Sequence, residues 1–225
     1  MFPIPLKDTQ PSYSRPVVTI AIIAVNMLVF LFEVSLGPYS RNALIEYYGL
    51  VPDHFQLSRV ITSMFLHGGW LHVLGNMWFL WIFGDNIEDL LGHGKYLVFY
   101  LLCGMVAALG QVIANPYSTV PMVGASGAIA GVMGAYLIKF PRARIVTLVF
   151  IMFFITTLEI PAPIMLVFWF VMQLFSGFGS IAATHVSGGG TAFFAHIAGF
   201  VAGMALVKAM GASGQYNRRR DGYWE

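Results

Sequence analysis

Residues 17–36 read VVTIAIIAVNMLVFLFEVSL, an apolar run in which Asn26 and Glu33 are the strongly polar residues. A helix of this length crosses the roughly 30 Å hydrocarbon core of a bilayer. The whole chain has the same character, because 58% of its 225 residues are hydrophobic, 10% are charged, and the mean hydropathy is +0.75. This composition excludes a water-soluble globular protein and a disordered chain. A single cysteine also excludes a disulfide scaffold.

Four more apolar stretches are predicted as membrane helices: 71–91, 96–114, 126–140 and 192–210. A further stretch, 145–177, is divided by Glu159, Pro161 and Pro163. For it we predict an interfacial or partly re-entrant segment at 145–157, followed by a short fifth span at 163–176. The sequence therefore predicts an all-α membrane protein with a six-helix domain at 17–210. Cytoplasmic tails are predicted at 1–16 and 211–225.

The positions of the basic residues support this topology, because short loops rich in Lys and Arg stay on the cytoplasmic side. With the N-terminus inside and six spans, ten of the 12 Lys and Arg residues face inward, and Arg41 and Arg59 face outward. If the stretch 145–177 crossed twice, four of these ten cations would move outside. A net charge of +2 is too small to indicate a nucleic-acid partner.

Two predicted spans carry glycines at helical spacing. Gly127, Gly131 and Gly134 lie along the fourth span, and Gly199 with Gly203 forms G-x-x-x-G in the sixth. Helices in lipid associate by packing rather than by the hydrophobic effect, so faces of small residues mark places where two backbones can approach closely. An isolated G-x-x-x-G is most often ordinary bundle packing, but here both faces also carry a polar residue.

Polar residues at membrane depth are costly and indicate functional sites. Ser126 at the start of the fourth span would by itself be read as a helix cap, and His196 by itself as a hydrogen-bonded packing residue. However, His196, Gly199 and Gly203 fall at i, i+3 and i+7, on one face of their helix. If this face meets the glycine face of the fourth span, the imidazole reaches the Ser126 hydroxyl and can serve as the base that a serine nucleophile requires. Because no carboxylate lies in the outer half of a span near this site, we predict a Ser-His dyad.

The predicted second span offers hydrogen-bond donors for an oxyanion. His72 and Asn76 stand at i and i+4 on one helical face and could act together with the backbone N–H of Ser126. His67 lies in the preceding loop and is more simply read as holding that loop in place. His67 and His72 are five residues apart, which a helix does not place on one face, and Cys103 has apolar neighbours. We therefore predict neither a metal nor a cofactor.

These motifs resemble those of the rhomboid intramembrane serine proteases. They are HGGWLH at residues 67–72 followed by Asn76, GASG at 124–127, and AHIAGF at 195–200. The resemblance covers about residues 16–210. It implies a six-helix core that cleaves single-pass membrane proteins within or beside their transmembrane segment.

The resemblance also implies a role for individual residues. Ser126 would be the nucleophile, His196 the base, and His72 with Asn76 the oxyanion donors. The remaining motif positions would be structural: His67, Gly124, Gly127, Gly199, Gly203, Arg59 and Glu88. Some members place an aromatic residue one turn after the serine, against the histidine, whereas this chain has Ala130. The sequence therefore does not indicate what orients the His196 ring.

From these observations we expect a multi-pass integral membrane protein that hydrolyses transmembrane protein substrates, contacts membrane lipid and has no nucleic-acid partner. A bacterial inner membrane is the expected location, and the oligomeric state is not indicated. The alternative is an inactive rhomboid-like scaffold that binds client helices, but the presence of both Ser126 and His196 favours the enzyme. A small transporter is disfavoured because the sequence has no paired broken-helix repeat.

Overall fold

The computed structural model describes residues 4–151, 154–182, 192–214 and 216. Most of the predicted C-terminal tail, residues 215 and 217–225, therefore lies outside the described residues. The helices are α1 (Val17–Ser35), α2 (Pro38–Tyr48), α3 (Leu57–Thr62), α4 (Trp70–Leu91), α5 (His93–Ala114), α6 (Ser126–Lys139), α7 (Ala162–Ala182) and α8 (Phe193–Met210). The strands are β1 (Ile4–Asp8), β2 (Arg144–Ile151) and β3 (Phe154–Pro161).

The protein is a helical membrane protein. Helices α1, α5 and α8 are long and apolar enough to cross a bilayer, and α6 and the part of α7 at Ala162–Phe175 are shorter apolar helices. Predicted spans one, two, three, four and six coincide with α1, α4, α5, α6 and α8 to within three residues at each end. The number of crossings, six, stays a prediction.

Residues 145–151 and 154–157 belong to two β-strands, which the prediction of an all-α protein did not include, whereas an interfacial or partly re-entrant position of this segment in the membrane stays a prediction. Strands β2 and β3 form an antiparallel hairpin, in register from Arg144 opposite Pro161 to Ile151 opposite Phe154. Alternating β-branched residues in β2 favour the extended conformation. Helix α7 begins at Ala162, directly after β3. Pro163 is compatible with this start, because a proline in the first turn of a helix removes no hydrogen bond. The resulting helix, with 21 residues, is longer than the predicted fifth span at 163–176.

The predicted tail at residues 1–16 contributes a strand, which the sequence analysis did not foresee. Strand β1 pairs antiparallel with β2, so the sheet has the order β1-β2-β3. Side chains of the helical bundle hold β1 in place, because Trp78 Nε1 donates to the Pro5 carbonyl at 2.7 Å and the Tyr136 hydroxyl donates to the Asp8 carboxylate. The N-terminal segment is therefore packed against α4 and α6.

The backbones of helices α6 and α8 are in direct contact. A Cβ atom built on Gly199 would overlap the carbonyl oxygen of Gly127, and one built on Gly203 would overlap the carbonyl oxygen of Gly131. The two glycine stripes predicted from the sequence therefore meet, and each needs the space that a missing side chain leaves.

Glu88 joins the end of α4 to the start of α1. Its buried carboxylate accepts hydrogen bonds from the backbone N–H groups of Val18 and Thr19, both at 2.8 Å, and from the Thr19 hydroxyl at 2.7 Å. His93 Nδ1 lies 2.6 Å from the same carboxylate. The first N–H groups of a helix lack partners within the helix and carry partial positive charge, so an anion there stabilises the helix. Glu88 thus serves as a cap that a different helix supplies.

The segment between α1 and α4 folds over one end of the bundle. It contains α2, α3 and two short 3-10 turns, and Leu50 forms a β-bridge with Met122 just before α6. The Arg59 guanidinium lies over the Tyr47 ring, 6.0 Å from its centroid. Arg59 therefore links α3 to α2, and this segment covers the end of the bundle where the predicted site residues lie.

Candidate active site

Ser126 is the first residue of α6. The N-cap residue of this helix is Ala125 rather than Ser126. The Ser126 Oγ atom instead lies 2.8 Å from Nε2 of His196. Gly124, just before the helix, has a φ of +121°, in the left-handed region that favours glycine. The backbone N–H of Gly124 donates to the Ser63 carbonyl at 2.9 Å, which fixes the entry into α6.

His196 lies in the first turn of α8 and is buried, with 8% of its surface exposed. Its helix is held against α6 by the contact of Gly199 with the Gly127 carbonyl. Gly199 follows His196 by three residues and Gly127 follows Ser126 by one, so the closest approach of the two backbones lies next to the serine and the histidine. The structure thus brings together the two residues that the sequence analysis had paired.

The other side of the imidazole faces α7. Nδ1 of His196 lies 2.8 Å from Oε1 of Gln173, and the Trp169 ring lies 5.7 Å from the imidazole ring, at an angle of 38°. Trp169 and Gln173 are four residues apart and share one face of α7. Ala130, one turn after the serine, is fully buried in α6 and offers no aromatic ring to the imidazole. The ring thus has an aromatic neighbour from another helix.

The sequence analysis missed Gln173 and Trp169. A signal was present, because Gln173 is an amide within an apolar helix, and an uncharged polar group at membrane depth indicates a hydrogen bond to a neighbour. Its partner could not be identified, since no spacing rule relates residue 173 to residue 196.

His72 and Asn76 project from α4 towards the entry into α6. A Cβ atom built on Gly124 would lie 2.8 Å from Nε2 of His72 and 3.5 Å from Nδ2 of Asn76, so a side chain at this position would displace the His72 ring. Both side chains line the same cavity as Ser126 and His196. Two side chains with N–H groups therefore share this cavity with the serine.

His67 forms a hydrogen bond with the side chain of Asn76. Its side chain is fully buried, and its Nε2 lies 3.0 Å from Nδ2 of Asn76. Burial and the neighbouring His72 lower the pKa of His67 to about 4, so the ring is neutral near pH 7 and its Nε2 can accept from the amide. The His67 backbone is anchored too: its N–H donates to Glu33 at 3.1 Å, and its carbonyl accepts from Arg41 at 3.1 Å.

A cavity of about 230 Å³ opens beside Ser126. Apart from the serine, the two histidines and Asn76, its walls are mostly apolar, with Phe79, Ile129 and Met133 among them. Leu71 on the rim is 90% exposed, so the cavity opens to the surface of α4. Such an arrangement provides a hydroxyl with an adjacent base, donors for a developing negative charge, and an apolar recess for a substrate side chain.

Comparison with known proteins identifies a single family. A family model described as the Rhomboid domain matches residues 54–213. The chain is 32% identical over 128 residues to rhomboid protease GluP of Bacillus subtilis (strain 168), which covers 55% of this chain and 24% of that protein. It is 34% identical over 125 residues to the putative rhomboid protease YdcA of the same organism, with 54% of this chain and 61% of that protein covered.

A third relative comes from a different compartment. The chain is 35% identical over 141 residues to the presenilin-associated rhomboid-like protein, mitochondrial, of Homo sapiens, which covers 60% of this chain and 36% of that protein. The chain therefore spans about a third of the length of this relative. Similar proteins thus occur in both bacteria and mitochondria.

Proposed function

The chain belongs to the rhomboid family, and from that premise we propose that it is an intramembrane serine endopeptidase. Its substrates would be membrane proteins, cut within or next to a transmembrane segment. The observation that carries this proposal is the 2.8 Å distance between Ser126 Oγ and His196 Nε2 beside an apolar cavity. The similarity to rhomboid protease GluP supports the same reaction class.

In the proposed reaction, the Ser126 hydroxyl attacks the carbonyl carbon of the scissile peptide bond while His196 Nε2 takes the hydroxyl proton. The carbonyl oxygen becomes an oxyanion, which His72, Asn76 and the backbone N–H of Ser126 would stabilise. As the tetrahedral intermediate collapses, the C–N bond breaks and His196 returns its proton to the leaving amine. A water molecule then attacks the acyl carbon while His196 takes its proton, the bond from this carbon to Ser126 Oγ breaks, and His196 returns the proton to Oγ.

The membrane arrangement of this enzyme is part of the proposal. We infer six crossings by α1, α4, α5, α6, α7 and α8, with both termini on the cytoplasmic side. This arrangement keeps Arg41 and Arg59 as the outward-facing cations and places the serine end of α6 towards the outer face. Relatives from bacteria and mitochondria support an integral membrane location without selecting one of these compartments.

The test is cleavage of a single-pass membrane protein by the purified protein in detergent micelles. We expect Ser126→Ala to abolish cleavage and to change the unfolding free energy by no more than about 1 kcal/mol, since removing one hydroxyl costs about one hydrogen bond. A fluorophosphonate probe should label the parent at Ser126 and fail to label this variant.

The matched control is Ser35→Ala, which removes an exposed hydroxyl at the end of α1. This variant should keep both cleavage and labelling. Cleavage that persists in Ser126→Ala would rule out Ser126 as the nucleophile. Binding of a transmembrane substrate by a parent protein that never cleaves it would instead support the inactive scaffold.

A further inference from the structure

We propose that Gln173 is the positioning residue of the His196 base: it fixes the imidazole as the neutral tautomer that carries its proton on Nδ1. This inference rests on the proposed function. It starts from the two hydrogen bonds of the ring, in which Nε2 lies 2.8 Å from Ser126 Oγ and Nδ1 lies 2.8 Å from Gln173 Oε1.

The chemistry of the amide determines the tautomer. Oε1 of Gln173 is a carbonyl oxygen and can only accept a hydrogen bond, so Nδ1 of His196 must carry the proton. A neutral imidazole protonated on Nδ1 has its lone pair on Nε2. That lone pair then faces the Ser126 hydroxyl, as a base that accepts the serine proton requires.

A neutral partner suits the interior of a membrane protein. Within the described part of the chain, the hydrogen-bond partner of Nδ1 is this amide and not a carboxylate. A buried carboxylate would carry a large desolvation cost, which an amide avoids. The amide can orient the ring but supplies no negative charge to stabilise an imidazolium, so its contribution is geometry and tautomer.

The position of Gln173 depends on aromatic packing between α7 and α8. The Phe170 ring stacks on Phe200, with centroids 4.7 Å apart, and Trp169 lies 6.1 Å from Phe200 and 5.7 Å from the His196 ring. These contacts place the face of α7 that carries Gln173 against the first turn of α8. The Nδ1 hydrogen bond therefore exists only while α7 is seated on α8.

Two variants separate the hydrogen bond from the bulk of the side chain. Gln173→Met keeps nearly the same length and volume but offers only a weak acceptor, whereas Gln173→Glu keeps an acceptor oxygen at the same reach. Met172→Leu is the control, since Met172 is 40% exposed on the same helix. For each variant, kcat, KM and the pH dependence of kcat are measured with one transmembrane substrate. Ser126→Ala serves as the inactive reference.

We expect Gln173→Met to lower kcat on the order of 10-fold, the value of one lost hydrogen bond, with KM within twofold of the parent. Gln173→Glu should retain a kcat within a few-fold of the parent. Its acid limb should move to higher pH by about one unit or more, because a carboxylate favours the protonated imidazole. Met172→Leu should match the parent in every measurement. A side chain at position 173 that does not contact the imidazole would leave the acid limb unmoved.

A parental kcat in Gln173→Met would overturn the proposal, as would a Gln173→Glu variant with the parental pH profile. If Gln173→Met fails to fold, the profile of Gln173→Glu decides. Nitrogen NMR of the labelled His196 ring gives a readout that needs no activity. We expect Nδ1 to be protonated in the parent and the Nε2-protonated form to rise in Gln173→Met. If the parent lacks Ser126-dependent cleavage, the proposed function fails, and the NMR result still tests the tautomer.

Discussion

Helix α8 has two faces that are held in different ways. Towards α6, Gly199 and Gly203 let the two backbones touch, and a single Cβ on either residue would overlap a carbonyl oxygen. Towards α7, the contact consists of long side chains, with Trp169 and Phe170 packed on Phe200. A backbone contact has almost no freedom to adjust, whereas side chains can change rotamer.

This difference explains how the serine and the histidine are aligned. The separation of Ser126 from His196 is set by the backbone contact, so it tolerates little variation. The orientation of the imidazole is set by the side chains of α7, so it can adjust. A small change on the α6 face should therefore disrupt the fold, and a small change on the α7 face should only change the rate.

The largest expected effect is on the α6 face. We expect Gly203→Ala and Gly199→Val to lose about 3 kcal/mol or more of unfolding free energy together with all cleavage, because the new side chain must push α6 and α8 apart. The control is Gly94→Ala, since a Cβ on Gly94 would meet no heavy atom within 4 Å. Chemical denaturation in detergent measures all three variants. Full activity in Gly203→Ala would contradict the backbone contact.

The next effect concerns α4, which lines the site from a third side. Asn76→Ala should lower kcat by on the order of 10²–10³, about 2.7–4 kcal/mol, with KM almost unchanged, because an oxyanion donor acts mainly in the transition state. Leu74→Ala, at an exposed position of the same helix, is the control. A raised KM at unchanged kcat would make Asn76 a substrate-binding residue.

Low pH should lower the free energy of unfolding through His67, which precedes α4, and should not act on the contact between the glycines of α6 and α8. The pKa of His67 is about 4 in the folded state and about 6.5 in the unfolded chain, so the unfolded chain binds more protons between these values. Stability is therefore lost as the pH falls from about 6.5 to about 4, by roughly 2–3 kcal/mol. Unfolding measured at pH 7 and pH 4.5 should show a smaller difference in His67→Gln. His54→Gln, at an exposed histidine, should behave as the parent.

The smallest effect is expected on the α7 face. Trp169→Phe should lower kcat only a few-fold and change the unfolding free energy by roughly 1 kcal/mol, because a smaller aromatic ring can still contact both His196 and Phe200. The matched variant is Phe168→Leu, at an exposed position of α7, which should have no effect. If Trp169→Phe abolished folding as completely as Gly203→Ala, the two faces of α8 would not differ.

Much of the bundle could be predicted because its signals are local. Apolar length gave five of the helices, and the i, i+3, i+7 spacing of His196, Gly199 and Gly203 gave the packing partner of α8. The sheet could not be predicted in this way. The segment 145–157 is apolar, and its pairing with β1 is a contact between distant parts of the chain, which neither periodicity nor hydropathy encodes.

The site was only partly predictable for a similar reason. Ser126, His196, His72 and Asn76 lie at helix starts or share a helical face, so helical spacing together with the predicted topology suggested that they belong together. Gln173 and Trp169 come from a helix whose start was predicted correctly and whose length was not. Their contact with His196 depends on which face of α7 is directed towards α8. Since α7 directly follows β3, its direction depends on the hairpin, which the sequence analysis missed.

The pairing of β1 with β2 also imposes an order of events during synthesis. Strand β1 leaves the ribosome about 140 residues before β2, which corresponds to roughly 7–28 s at common translation rates of about 5–20 residues per second. During this interval α1 to α6 are made, while the edge of β1 has no strand to pair with. The sheet can close only after β2 has emerged, so the first strand of the described chain to be synthesised waits until six helices have been made before it reaches its final place.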